Sequence, residues 1–206
     1  MTEQARYVAF EGGEGSGKST QARLLAERVG GIVTFEPGGT VLGQELRRLL
    51  LHSEKAPLGP RAETLLMAAD RAQHLDQVVL PSLDSGRHVV SDRSAYSSLA
   101  YQGGGRGLGI EPVREINDWA VAGRWPDAVV LLEVSADAAA ARLDRDLDRL
   151  EREAGAFHQA VRRTFGELAA ADPDHWHVIK ADEPIDDVAA AIWEALCPLF
   201  EGQARP

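Results

Sequence analysis

Apolar residues along this chain come in two rhythms. Short, nearly continuous runs occur at Tyr7–Phe10, Ile32–Phe35, His88–Ser91, Ala128–Val134 and Trp176–Ile179. Each is too short for a helix and reads as a buried β-strand. Between these runs apolar positions recur at helical spacing. Helices are predicted over Ser19–Val29, Gly43–Leu51, Arg61–Leu83 (with a break at Pro81), Pro112–Ala122, Ala136–Glu153, Phe157–Ala171 and Ile185–Leu199. Strands that alternate with helices build right-handed βαβ crossovers and a parallel sheet flanked by helices on both faces. The pattern therefore predicts one three-layer α/β domain over residues 1–206, with ligands at the carboxyl ends of the strands. No repeat or low-complexity linker interrupts it, and the alanine-rich stretch Ala136–Ala141 favours helix over disorder.

Composition narrows the class without changing the fold. A chain of 206 residues suits one compact domain. The net charge of −10 would repel a nucleic acid polymer, so none is expected as a partner. The amino terminus lacks the design of a signal peptide, and no apolar run approaches the roughly 20 residues needed to span a bilayer. A cytoplasmic protein with no membrane partner is expected. Its single cysteine, Cys197, excludes an internal disulfide framework and lies in an apolar stretch, where it reads as a small buried hydrophobe. The histidines show no metal-ligand spacing, and a zinc site is not expected.

Chemistry enters directly after the first strand. Gly12-Gly13-Glu14-Gly15-Ser16-Gly17-Lys18-Ser19 matches G-x-x-x-x-G-K-S/T in full, and Thr20 continues into an amphipathic helix. The glycines let backbone N–H groups turn inward around a phosphate, and Lys18 adds a point charge for the β- and γ-phosphates of ATP. The helix aims its positive end at the same anion. A glycine-rich turn matching by chance rarely has a strand before it and such a helix after it. A dinucleotide-binding turn fails on spacing, since no G-x-G-x-x-G occurs. The Ser19 hydroxyl is a candidate ligand for Mg²⁺, and Asp92, at the end of a later strand, is the candidate acid to help it. Asp92 alone could equally cap the next helix. Arg93 beside it sets a guanidinium next to the phosphate site. The chain lacks an Asn-Lys-x-Asp motif for guanine, and its arginines point instead to a P-loop kinase of small molecules.

Longer motifs carry a family resemblance. Phe10-Glu11-Gly12 through Thr20, Glu36-Pro37-Gly38-Gly39-Thr40, Ala68-Ala69-Asp70-Arg71-Ala72-Gln73-His74, and Asp92-Arg93 followed by Ser97-Ser98-Leu99-Ala100-Tyr101-Gln102-Gly103 stand in order. In these segments the chain resembles bacterial thymidylate kinases over nearly its whole length. The resemblance implies a P-loop NTPase fold with a five-stranded parallel sheet, and transfer of the γ-phosphoryl group of ATP to dTMP. It further implies that Glu14 reaches the acceptor's 3′-hydroxyl or the metal shell, and that Arg47, Arg71 and Arg93 hold the dTMP phosphate. Ser98 and Gln102 would contact the base, with Tyr101 packed against the sugar. Family members usually carry arginine at the Phe35 position and an aromatic at the Met67 position, where a thioether can also pack on a base. The family is usually homodimeric, and the apolar helix around Leu65, Leu66 and Leu75 is the expected interface.

Arg142, Arg145, Arg149 and Arg152 would share an arc of about 80° on a helix over Ala136–Glu153. Such a stripe can be a solvated face laced with weak i,i+4 ion pairs. In the resembled family this region, about 136–156, is a mobile lid over ATP. It carries the catalytic arginine when the P-loop has none, and Arg145 and Arg149 are then the leading candidates. The glycine cluster Gly103–Gly109 reads as a flexible loop, with Arg106 at the rim of the site. Two other functions stay open: a nucleoside-monophosphate kinase of different base preference, and a regulatory module that holds ATP without turnover.

Overall fold

Five strands form one parallel sheet in the computed structural model, which describes residues 4–52, 57–142 and 148–201. They are β1 (Tyr7–Gly12), β2 (Ile32–Phe35), β3 (Val89–Asp92), β4 (Ala128–Glu133) and β5 (Trp176–Lys180), in the spatial order β2-β3-β1-β4-β5. All five were legible as short, mainly apolar runs. The reason is visible at β1, where all six residues are buried because helices cover both faces. Register sets Phe10 beside Asp92 on one side and Val130 on the other.

Helices α1 (Lys18–Val29) and α9 (Ile185–Glu201) cover one face, closing over Val8, Phe10, Val90 and Val130 with Leu25, Ile192 and Leu196. The other face carries α2 (Val41–His52), α3 (Pro60–His74), α6 (Ile110–Val121) and α8 (Gly155–Ala171). There Val129, Leu131 and Trp176 of the sheet pack with Leu50, Phe165 and Ala169. Between α3 and β3 lie a π-helical segment, Leu75–Val79, and α4 (Leu80–Asp84). After β3 come α5 (Ala95–Ser98) and a second π-helical segment, Leu99–Gly105; α7 (Ala136–Arg142) follows β4.

The structure departs from the sequence reading in four places. The helix expected over Arg61–Leu83 widens into a π turn ahead of Pro81, because proline supplies no amide and its ring crowds the carbonyl four residues back. The helix expected over Ala136–Glu153 ends at Arg142 among the described residues. Beyond the undescribed Arg145, Asp148 turns the chain by accepting the N–H groups of Leu150 (2.8 Å) and Glu151 (2.9 Å). The four arginines therefore do not share one described helix face. Gly103–Gly105 is helical and packed tightly: a Cβ on Gly105 would lie 2.6 Å from the Phe157 ring. Gly104 and Gly105 form a seam against Thr164 and Phe157 of α8, and Gly103 abuts Ile110 of α6, so larger side chains have no room. Cys197 is half-buried, because its neighbour Leu196 takes the core-facing position of α9. Among the described residues no helix is long and apolar enough to cross a membrane.

Candidate active site

Chain leaving β1 runs to α1 on one face of the sheet, whereas chain leaving the adjacent β3 runs to α5 and α6 on the other. A crevice opens where such neighbours part. Here it is a cleft of about 530 Å³ at the carboxyl ends of the strands. Lys18, Ser19 and Asp92 line one part of it, and Phe35, Arg47, Met67, Arg71, Arg93, Ser98, Tyr101 and Gln102 line the opposite part.

The phosphate loop is held mainly by its own backbone. Gly12 sits at φ 139°, and a Cβ there would come within 2.5 Å of the Leu132 carbonyl, so the loop can pass β4 only with glycine at this position. Lys18 is buried and donates from Nζ to the Gly13 carbonyl at 2.7 Å and to Ser16 Oγ at 3.3 Å. Burial, then the nearby Arg93 charge, pushes its pKa below the usual lysine range. The register that sets Asp92 beside Phe10 turns the aspartate toward α1, where Ser19 Oγ donates to Asp92 Oδ2. Asp92 Oδ1 is buried with no hydrogen-bond partner among the described residues.

The opposite part rests on side chains, and three buried glutamates fix them. Glu11, at the end of β1, accepts four hydrogen bonds, from the backbone N–H and hydroxyl groups of Ser94 and Ser97. They pin the turn that carries Arg93, whose φ of 75° lies in the left-handed region that non-glycine residues rarely enter. Burial holds the Glu11 carboxyl above its usual range. Arg93 pairs with Glu14, reaches Ser97 Oγ at 3.3 Å, and lies 5.1 Å from the Tyr101 ring centre.

Glu36 sits between Arg71 (2.7 Å to Nε) and His74 (2.8 Å to Nδ1). Burial pushes its carboxyl up, but these two partners outweigh that and hold it below the usual range. Arg71 also donates to Ser98 Oγ at 3.1 Å, to Asn117 Oδ1 and to the Ser94 carbonyl at 2.9 Å. Four of the five guanidinium N–H groups are thereby engaged, leaving one without a partner among the described residues. Glu63, fully buried on α3, binds Gln102, Arg106 and Arg149. Burial again pushes the carboxyl up, and their hydrogen bonds bring it below the usual range.

The cleft thus brings together the sequence-predicted Gly15, Gly17, Lys18, Ser19, Thr20, Asp92 and Arg93 with the residues expected to bind the acceptor. Phe35, whose place the sequence left open, stands in the wall with Arg47 5.8 Å above its ring centre, and Arg47 Nη1 donates to the Pro37 carbonyl at 2.7 Å. Arg149 is turned to Glu63 and the Leu50 carbonyl, both at 2.7 Å. Arg142 donates to the Ala181 carbonyl at 2.8 Å. Arg145 lies outside the described residues. Sequence reasoning assigned no role to Glu11, Glu36, Glu63 or Asn117. Glu11 and Glu36 belong to the quoted motifs, whereas nothing in the helical pattern distinguishes Glu63 or Asn117.

Comparison with known proteins agrees with this arrangement. A family model described as thymidylate kinase matches residues 10–192. The thymidylate kinase of Clavibacter michiganensis subsp. michiganensis is 46% identical over 194 residues, covering 90% of this chain and 92% of its own. That of Synechococcus sp. (strain JA-3-3Ab) is 46% identical over 206 residues, covering 97% of this chain and all of its own. A crystal structure of thymidylate kinase from Ehrlichia chaffeensis superposes with a TM-score of 0.77 at 29% identity, covering 93% of this chain and 98% of that one.

Proposed function

The chain belongs to the thymidylate kinase family, and from that premise we propose how the residues of the cleft divide the work. The protein is an ATP-dependent phosphotransferase that moves the γ-phosphoryl group of ATP to dTMP, giving dTDP and ADP. The observation that carries the assignment of roles is that Lys18 lines the same cleft as Arg93, Ser98, Tyr101 and Gln102. An acceptor phosphate is mostly a dianion near neutral pH, its second pKa being about 6, so no general base is needed. One of its oxygens bonds to the γ-phosphorus while the bond to the β,γ-bridging oxygen breaks, and ADP leaves with that electron pair. The site supplies alignment and positive charge to two anions that repel each other.

The loop from Gly12 to Thr20 holds the donor phosphates, and Lys18 neutralises charge on the group in transfer. Arg93 and Arg47 hold the acceptor phosphate. Glu14, now on Arg93, yields that guanidinium to the phosphate and turns to the sugar hydroxyl. Tyr101 packs against the sugar. Ser98, Met67 and Gln102 face the base, and the one Arg71 N–H without a partner among the described residues suits a single carbonyl oxygen there better than a phosphate clamp. Of the two lid arginines, Arg149 is engaged by Glu63, so the catalytic role falls to Arg145.

Mg²⁺ fits Ser19 and Asp92, because both present hard oxygen ligands and Asp92 Oδ1 is buried and unpaired among the described residues. Bound there, it neutralises the β- and γ-phosphates. A second copy of the chain docks on α3 and α6, where Leu65 (57% exposed) and Trp119 (84% exposed) leave apolar surface on helices that pack together. Leu75, expected at that interface, is buried in the core instead. Sedimentation should give a dimer that Trp119→Asp dissociates. A net charge of −10 and the lack of a spanning helix among the described residues support a cytoplasmic location.

A coupled assay with dTMP, dUMP, dCMP, AMP, CMP and GMP tests the reading. The highest kcat/KM is expected with dTMP. A different favourite would support another base preference, to which Met67 and Phe35 in the cleft wall point. No turnover with any acceptor would overturn the assignment.

A further inference from the structure

Glu63 has no exposed surface and no place in the chemistry described above, yet it collects four hydrogen bonds. Arg149 Nη2 donates to it at 2.7 Å, Arg106 donates from Nη2 at 3.1 Å and from Nε at 3.2 Å, and Gln102 Nε2 donates at 2.9 Å. Arg106 is itself anchored to Glu153 at 2.6 Å, and Arg149 to the Leu50 carbonyl. Two guanidinium groups from different parts of the chain thus hold one carboxylate ionised and still. An ionised carboxylate has no proton to give. Its partner on Gln102 must be the amide nitrogen, and chemistry removes the usual ambiguity between the two ends of a glutamine amide.

We propose that Glu63 is a positioning residue for the base reader: it turns the Gln102 nitrogen inward, so that Oε1 is the atom offered to the acceptor base, and the site thereby selects pyrimidines carrying a proton on N3. This rests on the reading in which Gln102 faces the base. Thymine and uracil present that N–H donor, whereas cytosine presents a bare nitrogen that would meet Oε1 acceptor to acceptor. The Arg71 N–H left without a partner among the described residues agrees, since it can donate to the carbonyl beside N3 in thymine but meets an amine in cytosine. An acceptor set against an acceptor leaves both unpaired at the buried Gln102 side chain, which is how polar pockets reject near-isosteric ligands strongly.

Glu63→Gln in the full chain tests the proposal. A glutamine at this position can accept from the arginines through its oxygen while donating to Gln102, which is then free to flip. The ratio of kcat/KM for dTMP over dCMP should fall about tenfold or more, through a raised KM for dTMP, with the KM for ATP held within about twofold. A merely structural role would lower the melting temperature and scale both substrates alike. A folded Glu63→Gln enzyme with the wild-type ratio overturns the proposal. If the variant does not fold, the wild-type protein decides by NMR of the Gln102 side-chain amide, identified by its loss in Gln102→Leu. That amide should exchange slowly and shift little when dTMP is added; fast exchange with a large shift overturns the proposal. Wild-type enzyme that phosphorylates no nucleoside monophosphate sinks the acceptor reading itself, whereas a preference for dCMP leaves that reading standing and overturns the role of Glu63.

Discussion

The two halves of the cleft hold their ligand groups by different means. On the side proposed for the donor one contiguous loop carries the groups: glycines shape the backbone, α1 follows at once, and Lys18 is tethered to its own loop through Gly13 and Ser16. On the side proposed for the acceptor the polar groups come from separate elements, and each is seated on a buried carboxylate: Arg93 on the turn held by Glu11, Arg71 on Glu36, Gln102 on Glu63. A backbone cradle is rebuilt wherever its loop folds. A side-chain array needs its supports to stay ionised and aligned while buried, because a buried charge left without its partner is costly.

The contrast makes graded predictions. Lys18→Ala should produce the largest loss, about 10²-fold or more in kcat, with the melting temperature nearly unchanged because the Lys18 hydrogen bonds among the described residues go to its own loop. Steady-state kinetics and a thermal melt check this, and retention of more than a tenth of the wild-type kcat would break the donor-side assignment.

Arg145→Lys and Arg149→Lys sharpen the division between lid chemistry and acceptor support. Arg145→Lys should lower kcat by about 10²-fold, since lysine lacks the planar fork of arginine. Arg149→Lys should keep kcat within about tenfold but lower the melting temperature by a few degrees, because it loosens the buried Glu63 cluster. The reverse pattern would return the catalytic role to Arg149.

Arg93→Ala should be selective. The kcat/KM for dTMP is expected to fall about 30-fold or more, while ATP affinity measured by calorimetry without acceptor changes less than about threefold. Equal losses on both sides would erase the distinction between the halves.

The motifs were readable where chemistry depends on neighbours in sequence. The P-loop follows β1 without a gap, and Asp92-Arg93 sits at the end of an apolar run, so position along the chain already implied position in space. Glu63 offered no such signal. On α3 it is a charged residue in the first turn, as exposed helices commonly have, and only packing shows it sealed beneath Gln102. The arginine stripe failed for a related reason. Helical spacing was extrapolated through Asp148, whose side chain accepts backbone N–H groups and turns the chain instead.

The smallest expected effect concerns Asp70, which supports the Gly38 turn by accepting its N–H at 3.0 Å. Burial, with the Glu36 charge, raises its carboxyl from 3.8 to about 6. Between these values the folded protein binds the proton that the unfolded chain releases, so this group's contribution to stability falls as pH rises from about 4 to 6. Asp70→Asn keeps an acceptor for Gly38 and removes the buried charge. Its melting temperature should exceed wild type by a few degrees at pH 7.5, with the gap closing toward pH 4.5. A gap that widens on acidification would show that Asp70 is stabilised as an anion.

By itself the sequence determined the five strands, their parallel order of layers, the phosphate loop and the family. These follow from hydrophobic runs, from glycines at fixed offsets and from contiguous motifs, all of which act over a few residues. Tertiary structure alone decided which way Arg71, Arg149 and Gln102 point. A long polar side chain takes its direction from whichever buried partner satisfies it. Those partners, Glu36 and Glu63, lie 35, 86 and 39 residues away from them along the chain.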